Sequence, residues 1–228
     1  MKNLLPVAVF FAIAACATTP TIQSGPDAEV SFDGLVAIDN SVFQRAWIAP
    51  DIDLRPYNQI MGGQAKFEFR AVRGTGTSRA NSSRNEFPIS EENQQRLIDT
   101  VSEIFREEIG NSQHFTITDE PGDDVLIVTG ALLDIVSRVP PERVGRSDIF
   151  LSSVGEATLV LELRDSISGE TLFRAADRRA AEPAGGRGMR SNTVTTWNEV
   201  RRLARRWATR LRDGLDSAHD LNLAGADG

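Results

Sequence analysis

Val154-Gly155-Glu156-Ala157-Thr158-Leu159-Val160-Leu161-Glu162-Leu163-Arg164 runs into Asp165-Ser166-Ile167-Ser168-Gly169-Glu170, and Thr171-Leu172-Phe173-Arg174-Ala175-Ala176 follows. Two extended runs around a short polar turn containing glycine read as a β-hairpin. The first run alternates with period two. Ala157, Leu159, Leu161 and Leu163 point one way; Glu156, Thr158, Val160, Glu162 and Arg164 point the other. One sheet face is therefore to be buried and the other wet, and the buried face needs a cover.

Two amphipathic helices can supply it. Downstream, Trp197, Val200, Ala204, Trp207, Leu211 and Leu215 make one helical stripe, and the capping-box spacing of Thr196 and Glu199 predicts a start near Thr196. Upstream, Ser90 is a good amino-terminal cap, and Glu91 and Glu92 favour the positive end of the helix dipole. Leu97, Val101, Ile104, Phe105 and Ile109 share a face, and Gly110 is the expected stop.

Further strands are expected over 42–49, 57–61, 65–72 and 115–118, and over 125–139 with a bend near Gly130. The stretches 73–87, 140–146 and 180–192 read as loops. The order of elements predicts one α+β domain over 41–217: a mainly antiparallel sheet with two long helices packed on one face, then a disordered tail over 218–228.

The chain has 228 residues, 25 Lys+Arg against 32 Asp+Glu, two His and one Cys, for a net charge of −7. That balance excludes a general nucleic-acid binder, and a single Cys excludes a disulfide framework or a multi-cysteine zinc site.

The amino terminus reads MKNLLPVAVFFAIAAC. Lys2 precedes an uncharged, mostly apolar stretch from Leu4 to Ala15, which as a helix spans about 18 Å against a hydrocarbon core of about 30 Å. It is too short for an ordinary transmembrane anchor and fits a signal-peptide core over 1–15. Ile13-Ala14-Ala15-Cys16 resembles the lipobox of bacterial lipoprotein precursors. That resemblance implies cleavage between Ala15 and Cys16, and lipidation of Cys16. Three acyl chains would hold the chain on a membrane permanently. Ala17, which is not Asp, favours the outer membrane by resemblance to lipoprotein sorting signals. The stretch 16–40 reads as the lipidated cysteine and a flexible tether.

The segment 154–165, with Ser168-Gly169-Glu170-Thr171-Leu172, Ala176-Asp177-Arg178-Arg179 and the Trp197–Trp207 helix, resembles the bacterial lipoprotein family catalogued as domain of unknown function 3313. The likeness is closest over 154–211 and extends less closely over 43–110, where Gly62-Gly63 and the stretch 73–87 depart from the family pattern. It implies a small envelope lipoprotein with an α+β domain, and implies no substrate, cofactor or catalytic residue.

Catalytic and metal chemistry find little support in the residues. His114 and His219 are the only imidazoles, and neither accompanies a nucleophile motif. Asp119, Glu120, Asp123 and Asp124 do not have calcium-loop spacing and read as a solvated turn. No catalytic residue, metal or cofactor is expected.

Arginine is the remaining signal: 23 Arg against two Lys. Arg201, Arg202, Arg205, Arg206, Arg210 and Arg212 crowd the last helix and read as a solvated basic face beside a core stripe. Arg138, Arg143 and Arg146, with Arg187 and Arg190, lie in loops that could form an anion-binding rim; Arg143, Arg146, Arg187 and Arg190 are the candidate site. The functional expectation is a non-enzymatic binding or scaffolding lipoprotein on the periplasmic face of the outer membrane. Its partners would be the membrane, through Cys16, and an envelope protein, anionic lipid or cell-wall component. The alternatives are an accessory subunit of an envelope transport or assembly complex, and a cell-wall or lipid hydrolase.

Overall fold

A computed structural model describes residues 19–72, 86–140, 150–183, 188–190 and 192–220. In chain order the elements are β1 (Thr21–Ile22), β2 (Val36–Asp39), β3 (Arg45–Ile48), β4 (Gln59–Gly62), β5 (Lys66–Phe69), α1 (Glu91–Ile109), β6 (Thr116–Thr118), β7 (Val125–Ser137), β8 (Phe150–Leu151), β9 (Gly155–Asp165), β10 (Thr171–Ala180), β11 (Met189–Arg190) and α2 (Thr193–Asp220). Among the described residues nine strands make one sheet in the order β1-β2-β3-β10-β9-β7-β4-β6, with β5 also on β7, and β8 pairs with β11 apart from it. The β9–β10 hairpin is the centre, and two helices cover one face, so the α+β expectation holds. No helix among the described residues is long and apolar enough to cross a membrane.

The sheet is mixed. β4 runs parallel to both β6 and β7, and β5 parallel to β7. A parallel return needs a long crossover, and the chain supplies it through α1. β7 is long enough for β4 to pair with its first half and β5 with its second.

The predicted alternation in β9 is what the fold shows: Ala157, Leu159, Leu161 and Leu163 are buried. Leu161 lies opposite Ala175 on one side and Gly130 on the other. Those two small residues leave space above the sheet, and Trp207, Ala208 and Leu211 of α2 belong to the same core cluster.

The bend in β7 is not at Gly130, which pairs in regular register. It is at Asp134, where the register shifts between Leu133 and Val136 and φ is 55°. One extra residue on one strand makes a β-bulge. At the adjoining strand end, a Cβ on Gly155 would lie 2.3 Å from the Val136 carbonyl oxygen, so only glycine permits that approach.

Both helix ends differ in detail from expectation. Ser90 caps α1, but Gly110 ends it at φ −63°, a right-handed conformation any residue adopts. The chain is instead caught by α2: Ser112 Oγ donates to Asp216 Oδ1 at 2.5 Å, and the Gln113 amide donates to the same carboxylate. α2 begins three residues before Thr196, because Asn192 and Thr195 cap reciprocally. The Thr195 amide donates to Asn192 Oδ1 at 2.9 Å and the Asn192 amide to Thr195 Oγ1 at 3.3 Å.

Two stretches read as tether and tail carry regular structure where they are described, while 221–228 lie outside the described residues. Residues 218–220 belong to α2, and the His219 ring stacks on His114 with centroids 4.3 Å apart. The stretch read as tether carries β1 and β2, with Thr21 opposite Asp39 and Ile22 opposite Ile38. Gly25 and Gly34, both at φ 87°, turn the chain back so that these strands meet. Glycine and proline here make turns rather than slack, and the sheet takes in β1 and β2, ahead of the expected boundary at 41.

Candidate functional site

β10 puts a carboxylate where a hydrophobic residue belongs. Asp177 is the register partner of Leu159, so its side chain falls in the covered row, where it is 1% exposed. A buried charge persists only with partners. Its Oδ1 accepts the Gln44 amide at 3.2 Å; its Oδ2 accepts Arg179 Nε at 2.5 Å and Trp207 Nε1 at 2.8 Å. Arg210 Nη1 lies 3.6 Å from the same Oδ2. Three elements therefore meet at one carboxylate: β10, the turn before β3, and α2 at two positions about a turn apart.

The arginines of α2 divide between its two flanks. Arg205 and Arg212 face α1, where they bind Glu108, and Arg205 also reaches Glu107. Glu108 is itself buried and accepts a third bond from Thr209 Oγ1 at 3.1 Å. Arg202 pairs with Glu199 and Arg201 bonds to Asn198. Rather than only forming a solvated face, two of them, Arg205 and Arg212, bolt one helix to the other. On the opposite flank Arg210 and Arg206 join Arg179. Burial first, then the charge of Arg179, hold the Arg210 pKa below its ordinary value, with Arg206 adding to the effect and Asp177 opposing it. Arg179 and Arg210 converge on one carboxylate, with Arg206 one helical turn before Arg210, so the cluster keeps net positive charge.

Beside it lies an open hollow of about 470 Å³, lined by Ile38, Asp39, Asn40, Ser41, Val42, Phe43, Gln44 and Arg179. Asn40 makes the turn there at φ 56°, a conformation asparagine tolerates better than most residues. An open polar rim with excess guanidinium charge can take an anion such as a phosphate or carboxylate.

The uncovered face of the sheet is different in kind, because its charges neutralise one another. Arg174 binds Glu162 and Asp33; Arg178 binds Asp134 and Glu156; Arg70 binds Asp134 and Glu86. Hydrogen bonds from Arg70 and then Arg178 pull the Asp134 carboxyl down to about 2, and the Arg174 guanidinium does the same for Asp33. A carboxyl whose folded pKa lies below its unfolded value stabilises the fold above the unfolded pKa of about 3.9, and that contribution is lost as pH falls towards 2. Urea midpoints taken from pH 5 to pH 2 should therefore fall, and fall less steeply for Asp134→Asn. The groups are half exposed, so the difference is under about 1 kcal/mol. Identical slopes would mean that these ion pairs do not persist in solution.

Of the residues singled out in the sequence, Ala15, Cys16, Arg143, Arg146 and Arg187 lie outside the described residues. Arg190 is on β11, opposite Phe150, and its carbonyl accepts a bond from Thr195 Oγ1 at 2.9 Å. The sequence reading missed Asp177, Arg179 and Arg210 as a group. The available signal was phase: Asp177 shares the covered face with Phe173 and Ala175, so a carboxylate there must have cationic company.

A profile of the family described as protein of unknown function (DUF3313) matches residues 30–211. The chain belongs to that family. The matched span runs from just before β2 to Leu211 of α2 and takes in Asp177 with all its partners. Comparison with curated proteins finds no match for this DUF3313 chain. Among solved structures, the PelC dodecamer from Paraburkholderia phytofirmans is similar at 10% identity and a TM-score of 0.35, over 73% of this chain and 98% of that one. Protein XCC0632 from Xanthomonas campestris, of the DUF330 family, is similar at 13% identity and a TM-score of 0.38, over 75% and 88%. Protein CT253 from Chlamydia trachomatis is similar at 9% identity and a TM-score of 0.38, over 71% and 99%. All three are distant likenesses.

Proposed function

We propose that this DUF3313 protein is a non-enzymatic envelope lipoprotein. Cys16, lipidated after cleavage at Ala15, tethers it to the periplasmic face of the outer membrane, and its domain binds an anionic envelope component. The observation that carries the binding role is the excess of guanidinium charge at Arg179 and Arg210 on one buried carboxylate, with Arg179 lining an open hollow. Such a cluster binds charge without needing a nucleophile or a base. The lipobox supports the tether.

Expression of the full chain and of a Cys16→Ser variant, in a bacterial host with an outer membrane, tests the anchor. Intact mass should show a cleaved, triacylated product in the membrane fraction, and the serine variant should lose the lipid mass. A soluble product with an unmodified thiol would refute the tether.

One observation favours the accessory-subunit reading. β6 borders the sheet beyond β4, and Ile117 on it is exposed, so a partner strand has an edge to extend. At three residues that edge is short, and the arginine cluster remains the stronger feature.

A further inference from the structure

The tether and the arginine cluster lie at the same end of the sheet. Thr21 opens β1 opposite Asp39, and Asp39 lines the hollow. The turn from Asn40 to Gln44 is bound to β10 at that end, through Gln44 amide to Asp177 and Gln44 Oε1 to the Arg178 amide at 2.9 Å. Only Ala17, Thr18, Thr19 and Pro20 separate Cys16 from β1. Five Cα steps reach at most about 18 Å. A lipid on Cys16 therefore holds the hollow, not the hairpin turn, against the bilayer. On the hollow's rim Val42 is an exposed apolar side chain, 51% accessible, and Arg179, which shares Asp177 with Arg210, lines the same hollow.

We infer that this end of the domain docks on the membrane that anchors it: Val42 enters the interfacial layer, and Arg179, Arg206 and Arg210 bind the phosphates of anionic phospholipids. This rests on the lipidation of Cys16. It gives the anionic component a chemical class and the domain an orientation. The turn after β9, with exposed Ile167, points away from the bilayer. Six residue steps of strand separate the level of Asp177 from that turn, about 20 Å.

The test uses the full, lipidated chain. Acylation consumes the Cys16 sulfur, so Val42→Cys or Ile167→Cys supplies the sole free thiol for a polarity-sensitive dye. Each labelled protein is placed in phosphatidylcholine vesicles with or without phosphatidylglycerol, and its intact mass is taken. The Val42 label should shift to the blue and be shielded from an aqueous quencher in the mixed vesicles, and the Ile167 label should do neither. Arg206→Ala should lower the ratio of docked to undocked domain roughly fivefold, and added salt should lower it further. Equal quenching of the two labels in a chain of lipidated mass would overturn the docking while leaving the anchor standing. An unlipidated mass would overturn both. Inorganic phosphate supplies the remaining arm: if it raises the melting temperature of the lipidated chain in detergent while the Val42 label stays wet in vesicles, the cluster is a soluble-anion site and the lipid assignment falls.

Discussion

Asp177→Ala should lower the stability of the domain by about 3–5 kcal/mol, the usual effect of removing one partner from a buried charge cluster. The substitution removes the carboxylate that joins Arg179, Arg210, the Trp207 indole N–H and the Gln44 amide. It leaves cations facing one another and a buried donor unmet. In a domain of this size the midpoint of thermal unfolding should drop by roughly 10 °C. Asp177→Asn should lose less, because its carbonyl oxygen still accepts from Trp207. Trp207→Phe completes a cycle: the double variant should depart from the sum of the single effects by about 0.5–3 kcal/mol, since both touch one bond. Simple additivity would show that the indole and the carboxylate do not cooperate.

Leu161→Ala should cost about 2–5 kcal/mol, from lost burial and the cavity left behind. Leu161 is 1% exposed at the middle of the central strand, with Gly130 and Ala175 across from it, and neither can fill the space. Val160→Ala, one residue away on the uncovered face, should cost only about 1 kcal/mol. Chemical denaturation of the two variants measures the difference. Comparable losses would mean that the covered face has been assigned wrongly.

The centre of the fold was legible because a single physical rule governs it. Period two in 155–165 and period 3.6 in 193–215 each sort side chains by burial, and the two rows need each other. What escaped the sequence depended on distant pairing. β4 and β5 lie parallel to β7 because α1 intervenes, and no local pattern in 59–69 reports that direction. The stretch 21–39 is polar and punctuated by glycine, which resembles a tether until Ile22 meets Ile38. The start of α2 at Thr193 turned on Asn192 and Thr195, a cap that competed with an equally well-spaced pair at Thr196 and Glu199. The arginine cluster was hidden for a simpler reason: Arg179 and Arg210 are 31 positions apart, and only the register of β10 against α2 joins them.

Asp177 also sets an order of events in the life of the chain. Its amide partner at Gln44 is made early, and its indole partner at Trp207 almost last. A polypeptide emerging amino terminus first carries an uncovered apolar row, and a carboxylate short of its indole and Arg210 partners, until α2 has cleared the ribosome. Contacts this far apart in sequence close slowly. A fragment cut short before residue 207 therefore lacks the cover for its apolar row. Completion of the domain is in effect a check that α2 has arrived.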